Sequence, residues 1–379
     1  MKDTVYYYKV DSYEDKALYT AVNNILSQSE KLRTLDKDNK ILIKPNLLAK
    51  HIPSHCVTTH PAVLRAVIRA LKARGLYNIT VADSPGGAYS APIMRSIYKV
   101  SGLSEVCESE NVKLYTECEW RSVKANGKLM REFSFLLPVA DADFIINLPK
   151  LKTHVMTGMS GAVKNLFGCI PGLQKAELHM RFPDKDLFGD MLVDLYEALH
   201  PDINIIDGIM AMEGDGPAGG KPKNAALIIG GENGYEIDLT ICKLIGLDAM
   251  EVPFLRAAHN RKLCGKASDT SCITGDNFVP IIGFALPKSY SRIDFGTKIP
   301  KPFRWLVPYA EKKLAPHPVI KRPICIGCGK CAEICPQNTI EIKDKKAHIN
   351  SKECIRCFCC HEICPVKAID VKCIGLFKI

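Results

Sequence analysis

The 379-residue chain is predicted to be an α/β protein, with a mostly parallel sheet covered by helices on both faces and a small C-terminal α+β domain. Short apolar stretches alternate with amphipathic stretches over most of the chain, and the apolar ones are hydrophobic at nearly every residue, as in doubly covered strands. The smaller domain is predicted from two cysteine runs of identical spacing near the C-terminus. A chain of this length suggests about two or three domains.

The elements of the larger domain begin with a predicted strand at 41–43 and a predicted helix that starts at His60–Pro61 and ends at Gly75. Polar, alternating stretches on both sides of Asn126-Gly127 predict a hairpin insertion at 111–139. The other predicted strands are 79–82, 144–148, 203–206 and 227–229, and the other predicted helices are 160–167, 187–199 and 235–244.

The cysteine runs are Cys325-x2-Cys328-x2-Cys331-x3-Cys335-Pro336 and, 29 residues later, the same pattern from Cys354 to Pro365. In bacterial ferredoxins of this spacing, the fourth cysteine of each run ligates the cluster of the other run. Zinc knuckles also use C-x2-C pairs, but zinc has no need of the C-x3-C-P ending, which occurs twice. The sequence therefore predicts two 4Fe-4S clusters, with cluster one held by Cys325, Cys328, Cys331 and Cys364 and cluster two by Cys354, Cys357, Cys360 and Cys335.

The predicted division of the chain is an α/β domain at 1–287, a linker at 288–322, a two-cluster ferredoxin domain at 323–372 and a tail at 373–379. The linker holds nine Lys or Arg against two acidic residues and contains five prolines, so we expect an extended connector. Contact with anionic lipid is an alternative role. Because its cations form no array that would follow a phosphate backbone, nucleic acid is not an expected partner.

Cysteine usage and the start of the chain bear on its compartment. Eight of the 17 cysteines belong to cluster motifs that need reduced thiolates, and the N-terminus lacks the apolar stretch of a signal peptide. No run of eighteen apolar residues occurs, so no transmembrane segment is predicted. We expect a cytoplasmic protein of an organism that lives with little oxygen.

Polar residues follow several predicted strands, and in open α/β sheets ligands bind beyond the carboxyl ends of the strands. The densest stretch is 148–165, where lysines precede or open a helix whose first N–H groups would be free, an arrangement suited to a phosphate or carboxylate. A solvated basic loop is the alternative. The residues predicted to bind an anionic substrate are Asn46, Asp83, Lys150, Ser160, Lys164, Asn165, Asp207 and Glu213, and those predicted to be catalytic are His154 and Lys152.

His154 could serve as a general acid or base, as a metal ligand, or as a structural hydrogen-bonding group. Its flanking lysines are expected to lower its pKa. His51, His55 and Cys56 are weaker metal candidates, because Pro53 interrupts any shared helical face. The acidic loop 207–217 could hold Mg²⁺, position a substrate amine, or form a plain turn.

Five phrases of the larger domain resemble one family. They are KPNLL at 44–48, ADSPGG at 82–87, LPKLKTH at 148–154, SGAVKNLFG at 160–168 and DGI…EGDGP at 207–217. The chain is similar over about 35–285 to the family called domain of unknown function 362, whose members are often fused to a ferredoxin module. The resemblance implies a shared large domain with iron-sulfur partners but no established reaction. A distant similarity of architecture to nickel-pincer-dependent lactate racemases carries over no ligand residue.

Three functions are compatible with these features. The first is an iron-sulfur oxidoreductase that passes electrons between the ferredoxin domain and an anionic substrate or cofactor at the strand-end rim, with any second cofactor unidentified because no flavin or nicotinamide motif is present. The second is an electron carrier or assembly factor that docks to a larger redox enzyme. The third is a non-redox enzyme whose clusters are structural or sense redox state. The expected partner is a redox protein or an anionic small molecule.

Overall fold

The computed structural model describes residues 3–14, 16–265, 272–290 and 315–373. Most of these residues belong to a mixed α/β domain built on one large sheet. Its strands are β1 (Thr4–Lys9), β2 (Ile41–Pro45), β3 (Ile79–Val81), β4 (Lys113–Leu114), β5 (Trp120–Lys124), β6 (Glu132–Leu136), β7 (Phe144–Leu148), β8 (Lys150–His154), β9 (Gly158–Met159), β10 (Ile203–Glu213), β11 (Lys221–Gly231) and β12 (Cys272–Gly275).

The helices of this domain lie between those strands. They are α1 (Lys16–Leu26), α2 (Glu30–Arg33), α3 (Pro61–Lys72), α4 (Ala91–Val100), α5 (Leu103–Ser109), α6 (Leu137–Ala140), α7 (Gly161–Asn165), α8 (Gln174–Arg181), α9 (Lys185–Leu199), α10 (Gly234–Ile245) and α11 (Pro253–Asn260), with short 3-10 turns at Pro53–His55, Leu166–Cys169, Ala249–Glu251 and Lys288–Tyr290.

The large sheet has the strand order β12-β1-β11-β10-β7-β2-β3-β4, and β8 pairs with both β10 and β9. From β10 through β7, β2 and β3 to β4 the neighbours are parallel, as are β1 and β12. Strand β11 is antiparallel to both β1 and β10. The predicted fold class, a mostly parallel sheet with many helices, is confirmed.

Side chains of the central strands alternate between two apolar cores, one on each face of the sheet. In β2, Ile41 and Ile43 pack into the core that contains residues of α1, α3, α4 and α5, whereas Leu42 packs into the core that contains residues of α7, α9, α10 and α11. In β7, Ile146 and Ile145 face these two cores in the same way. Burial on both faces explains why these strands are apolar throughout.

Helix α3 begins as predicted. Its N-terminus is capped by His60, whose ring Nδ1 accepts a hydrogen bond from Ala62 N at 3.2 Å, and Pro61 occupies the first helical position. Gly75 lies three residues beyond the last helical residue, with φ of +78°. The helix predicted at 160–167 is instead divided, with a five-residue α7 followed by a 3-10 turn.

Strands β5 and β6 form an antiparallel hairpin separate from the main sheet, inside the segment that was predicted as an insertion. Its connection at 125–131 is longer than a two-residue turn. The carboxylate of Asp194 in α9 holds this connection, accepting hydrogen bonds from Lys128 N (2.8 Å), Leu129 N (2.6 Å) and Met130 N (2.8 Å). The insertion is therefore fixed to a helix of the main domain.

Two segments that were predicted as loops are strands. Residues 150–154 form β8, which pairs with β10 across an irregular register, and β10 itself continues from Ile203 to Glu213 through the predicted acidic loop. Tertiary pairing explains both differences, because the backbone groups of these buried residues need partners and find them in each other.

The C-terminal domain contains the strands β13 (His317–Ile320), β14 (Ile340–Lys343), β15 (Lys346–Ile349) and β16 (Ile369–Lys372) and the helices α12 (Lys330–Glu333) and α13 (Cys359–Ile363). Strand β13 pairs antiparallel with β16, so residues 317–320 of the predicted linker pair with a strand of this domain. The rest of the predicted linker, at 291–314, lies outside the described residues, as does the tail at 374–379.

The C-terminal domain packs on the α/β domain through apolar and polar contacts. Phe358 and Val371 contribute to the larger core, where Phe358 is 1% exposed. Lys367 Nζ donates a hydrogen bond to Gly220 O at 3.4 Å. Within the part of the chain that the structure describes, no helix is both long and apolar enough to cross a membrane.

Candidate functional site

A cavity, here termed the rim cavity, lies beyond the carboxyl ends of β2, β3 and β8, where the C-terminal domain meets the sheet. The space open to the centre of a water-sized sphere is about 90 Å³, against ~10–15 Å³ for one water. Its polar residues from the α/β domain are Lys44, Asn46, Asp83, Ser84, Lys152, His154, Ser160, Lys164, Asn165, Lys175 and His179, and the C-terminal domain contributes Ile334, Cys359, Glu362 and Ile363.

Lys44 and Asp83 form a buried ion pair in this cavity, with 2.6 Å between Nζ and Oδ2 and each side chain 1% exposed. Asp83 also accepts hydrogen bonds from the N–H groups of Leu47 (3.0 Å) and Ser84 (2.6 Å). A Cβ at Gly168 would lie 2.2 Å from Asp83 Oδ1, so only glycine lets the backbone pass this pair. Because Asp83 neutralises Lys44, the charge available to a ligand comes from the other lysines of the cavity.

Lys152 is the first member of a series of hydrogen-bonded side chains that continues through three asparagine amides. Its Nζ donates to Asn46 Oδ1 at 2.6 Å and to Val57 O at 2.8 Å. Asn46 in turn donates to Asn165 Oδ1 at 2.8 Å, and Asn165 donates to Asn147 Oδ1 at 2.7 Å. Burial lowers the pKa of Lys152 to about 7. An amine with this pKa can take up or release a proton near neutral pH.

Two further lysines differ in how their amines are satisfied. Lys175 Nζ donates to the backbone carbonyls of residues 84–85, and burial lowers its pKa to about 7. Lys164 Nζ lies 5.2 Å and 5.6 Å from the ring centroids of Phe167 and Phe188, and burial lowers its pKa too. Ring faces attract an ammonium but offer it no oxygen acceptor, so Lys164 keeps its donors available.

His154 joins the rim to the C-terminal domain. Its Nδ1 accepts a hydrogen bond from Met156 N at 3.1 Å, so in the neutral ring Nε2 carries the proton, and Nε2 lies 3.0 Å from Glu362 Oε1. Burial and then the charge of Lys164 lower the pKa of His154 to about 4. Burial alone would raise the pKa of Glu362, but His154 and Lys164 outweigh it and lower that pKa to about 2.

His179 is held between aromatic rings. It stacks on Phe188, with ring centroids 4.5 Å apart at 12°, and contacts the edge of Phe167 at 5.5 Å. Burial and then Lys164 lower its pKa to about 3, so the ring is neutral at pH 7. Its Nδ1 has no hydrogen-bond partner among the residues that the structure describes.

The free N–H groups predicted at the start of α7 already have a partner. The carboxylate of Asp238 accepts hydrogen bonds from Ala162 N at 2.6 Å and Val163 N at 3.0 Å. Burial raises the pKa of Asp238 to about 7 despite these two bonds. Two of the N–H groups expected to bind the anion are therefore already occupied, and the lysine side chains are the available groups.

Three residues predicted at the site lie elsewhere. Lys150 and Asp207 form a completely buried ion pair at 2.8 Å, and Tyr13 OH accepts from Lys150 Nζ (2.8 Å) and donates to Asp207 Oδ1 (2.9 Å). Glu213 accepts a hydrogen bond from Ala285 N at 3.0 Å, away from the cavity. The first pair joins β8 to β10 and leaves no charge for a ligand.

The histidines after β2 form a pair, with 3.3 Å between His51 Nδ1 and His55 Nδ1. Burial and then the charge of His55 lower the pKa of His51 to about 4. Among the described residues, no three His, Cys, Asp or Glu side chains converge closely enough to ligate a single metal ion. A cubane cluster differs because its four cysteines surround a larger group.

The eight motif cysteines have the donor set and surroundings that an iron-sulfur cluster requires. Cys325, Cys328, Cys331 and Cys364 line one small hollow. After burial, the charges of Cys357, Cys354, Cys331 and Cys335 raise the pKa of Cys360, which indicates that these thiols are neighbours. Four of the eight sulfurs accept backbone N–H bonds, from Ala347 to Cys325 (3.4 Å), Ala368 to Cys364 (3.2 Å), Arg356 to Cys354 (3.4 Å) and Thr339 to Cys335 (3.4 Å).

Hydrogen bonds from backbone N–H groups stabilise thiolates and tune cluster potentials. Cysteines outside the motifs behave differently, since Cys56, Cys118 and Cys264 donate from sulfur to backbone carbonyls. The motif cysteines therefore fit cluster ligation, and the others fit neutral thiols.

Sequence reasoning did not predict several residues of the cavity, including Lys175, His179 and Glu362. Lys175 and His179 are four residues apart in α8, so they share one helical face, and that spacing was a readable signal. Glu362 lies between two cluster ligands, and nothing in its local sequence indicates that it reaches His154 in another domain.

Comparison with known proteins divides the chain in the same way. Residues 41–243 match the family described as Domain of unknown function (DUF362), and residues 317–365 match the 4Fe-4S dicluster domain. Thylakoid-associated protein sll1697 of Synechocystis sp. is 30% identical over 322 residues, which cover 84% of this chain and 96% of that protein.

Among solved structures, the lactate racemase apoprotein from Thermoanaerobacterium thermosaccharolyticum is similar with a TM-score of 0.41 and 13% identity. The match covers 66% of this chain and 58% of the racemase chain.

Proposed function

This chain belongs to the DUF362 family and carries an iron-sulfur electron-transfer domain, and we propose that it is an oxidoreductase whose substrate is an anion held in the rim cavity. In this proposal the domain binds two 4Fe-4S clusters, with the cysteines divided between them as the sequence predicts. When bound, the clusters supply one-electron transfer.

One observation carries the proposal: a helix of the C-terminal domain forms part of the cavity wall. Cys359, Glu362 and Ile363 of α13 line the cavity opposite the lysines of the rim, and Cys360 in the same helix is a predicted ligand of cluster two. A substrate in the cavity would therefore contact the segment that holds this ligand. Short separation is what electron transfer between a cluster and a substrate needs.

The hollow lined by the cluster-one cysteines contains residues of the C-terminal domain alone. Cys328 is exposed, and so are Ile324 (45%), Ile326 (60%) and Ile342 (37%). An exposed apolar surface of this kind suits contact with another protein. We assign this side to a redox partner and the cluster-two side to the substrate.

The rim residues have separate roles in the proposed reaction. Lys164 and Lys175 bind the anionic group, and Lys152 provides a proton, because its pKa of about 7 lets it change protonation state at neutral pH. His154, whose pKa is about 4, stays neutral, with Nε2 3.0 Å from Glu362 Oε1. His154 thereby positions the α13 wall at the rim.

Anaerobic reduction tests the proposal. The loaded chain should contain about eight irons, bleach with dithionite, and be reoxidised by its anionic substrate. Lys152→Gln should keep the iron and the bleaching but slow anion-dependent reoxidation by about 10²–10⁴-fold, the usual contribution of a general acid. Undisturbed reoxidation in that variant would refute the role of the cavity, and a colourless preparation that contains zinc would refute the clusters.

The second candidate is an electron carrier or assembly factor that docks to a larger redox enzyme without a substrate of its own. The exposed isoleucines beside Cys328 favour it, and the relative's name describes that protein as thylakoid-associated. This candidate predicts reoxidation by a partner protein and by no small anion. Ile326→Glu should then slow that reoxidation while leaving the iron content unchanged.

A further inference from the structure

We propose that the rim cavity is built for a small dianion, bound by Lys164 and Lys175 with His179 as a neutral hydrogen-bonding partner. The inference rests on the proposed function in one respect, since it names the class of ligand for the same cavity. Phosphate-like oxyanions and short dicarboxylates share this chemistry, with two negative charges on a group of a few atoms.

The balance of buried charge gives the first argument. Four lysines, Lys44, Lys152, Lys164 and Lys175, line the cavity, and each is at most 8% exposed. Asp83 neutralises Lys44 at 2.6 Å, and Glu362 is the other carboxylate on the lining. With all six groups ionised, two positive charges remain unmatched. Buried charges are normally paired, so a ligand with two negative charges would complete the site.

The lowered pKa values of two of these lysines have burial as their main cause. Burial is the largest cause for Lys152 and Lys175, and each is lowered further by a neighbouring lysine, with Lys164 acting on both. Nearby negative charge would favour the ammonium forms and raise both pKa values.

Unused hydrogen-bonding groups give the second argument. Lys164 Nζ lies over two aromatic rings, and within the described ranges its amine has no hydrogen-bond acceptor. His179, 4% exposed, lines the same cavity with Nδ1 unpartnered. Buried polar atoms without partners are rare in folded proteins, and an occupant of the cavity would satisfy both of these. The stacking on Phe188 fixes the ring so that it is oriented before a ligand arrives.

The size of the cavity limits the ligand. About 90 Å³ accommodates several waters at ~10–15 Å³ each, or a compact anion of similar size. Leu47, Phe167 and Ile334 add an apolar part to the lining. The two charges must therefore sit close together on a small molecule.

The excess positive charge of the cavity has one alternative role. The excess cations could stabilise the negative charge of the cluster held by the neighbouring helix α13 instead of binding a ligand. That alternative predicts no selectivity among dissolved anions. It also predicts that removing a lysine changes the cluster potential without changing anion affinity.

Calorimetry on the iron-loaded full chain under anaerobic conditions tests the proposal, at pH 7 and fixed ionic strength. The probes are inorganic phosphate and oxalate, with acetate as the monoanion control. We expect one site per chain that binds phosphate or oxalate at least ten times more tightly than acetate. Preference for phosphate identifies an oxyanion site, and preference for oxalate identifies a dicarboxylate site. Equal or undetectable binding of all three overturns the proposal in the wild-type protein, with no variant needed.

Variants then locate the site. Lys164→Gln should weaken dianion binding at least tenfold, while Lys128→Gln, which removes the same charge from a side chain that is 60% exposed in an ion pair with Asp190, should leave it unchanged. If Lys164→Gln does not load iron, the His179→Asn variant is measured instead, and we again expect weaker dianion binding. Equal affinity in the cavity variant and the surface variant overturns the assignment. Bleaching by dithionite, measured on the same samples, reports electron transfer separately from binding.

Discussion

Glu362 of α13 and His154 of β8 lie 3.0 Å apart, between Oε1 and Nε2, and this contact joins the C-terminal domain to the rim of the sheet. The sequence around either residue does not indicate that the two are in contact. The contact sits among the rim lysines, so the carboxylate acts on their charge as well as on the histidine. Its removal should therefore change the pH dependence of the cavity.

We first predict the effect of Glu362→Gln on the pH profile of anion-dependent reoxidation. Burial lowers the pKa of Lys152 to about 7, and Glu362 opposes this by favouring the ammonium. A proton donor is active while protonated, so the wild-type rate should fall as the pH rises through about 7. Without the carboxylate the ammonium is less favoured, and the fall should occur at a pH lower by about one unit.

Glu353→Gln is the matched control for this prediction, because Glu353 is an exposed glutamate of the same domain. Its pH profile should coincide with that of the wild type. A Glu362→Gln profile that moves to higher pH, or does not move, would contradict the proposed influence of Glu362 on Lys152.

Adjacent cysteines of α13 give a second prediction. Cys360 is an assigned ligand of cluster two, whereas its neighbour Cys359 lines the rim cavity and belongs to no motif. Cys359→Ser should retain about eight irons per chain, and Cys360→Ser should retain about four, because one of two four-iron clusters loses a ligand. Iron analysis with visible spectroscopy measures both. Equal iron loss in the two variants would show that the ligand assignment is wrong.

A third prediction concerns two glycines of the first cysteine run. Gly327 has φ of +65°, and a Cβ there would lie 2.3 Å from Lys345 O, whereas Gly329 has φ of +83° with open space around it. Alanine costs ~1–2 kcal/mol at either position through its backbone conformation. Gly327→Ala must also displace the chain at Lys345. We expect it to lose iron from cluster one faster than Gly329→Ala when both are challenged with a chelator.

The fourth prediction concerns the hairpin of β5 and β6. Asp194→Ala removes the acceptor for three amides of its connection, and Arg261 Nη1, 2.6 Å from Asp194 Oδ1, loses an ion pair. Each lost hydrogen bond to a charged acceptor costs ~1.5–3 kcal/mol. Hydrogen exchange at Lys128, Leu129 and Met130 should accelerate strongly. The iron content should stay the same, and Asp186→Ala on the exposed side of the same helix should leave these amides protected.

The sequence predicts the sheet and the cysteine motifs well, because both depend on local patterns. An apolar run such as Phe144–Leu148 predicts a strand that is buried on both faces. The cysteine spacing predicts cluster ligation because three ligands of each cluster come from one short segment. Prediction is weaker where tertiary pairing decides the structure. The alternation of Lys150, Leu151 and Lys152 is a strand pattern, but its polar members conceal it, since buried lysines are rare and are usually interpreted as surface residues.

The residues of the site were likewise predicted only in part. Lys152, Lys164 and His154 were predicted from the density of donors in one stretch, and they do line the cavity. Lys150 belongs to that stretch too, but it faces Asp207 instead, because alternate strand neighbours meet different surroundings. Whether a charged side chain binds a ligand or a partner within the protein depends on residues distant in sequence, which no local pattern contains.

The burial of Phe358 and Cys360 under the rim has a consequence for biogenesis. We expect iron and sulfide to reach these thiols before the C-terminal domain packs on the rim, so that cofactor insertion would precede domain closure. In a cell short of iron, newly made chains would stall before that step with Phe358 facing water. Quality-control proteases recognise such exposed aromatic residues, and we expect iron supply to set how much of this protein persists.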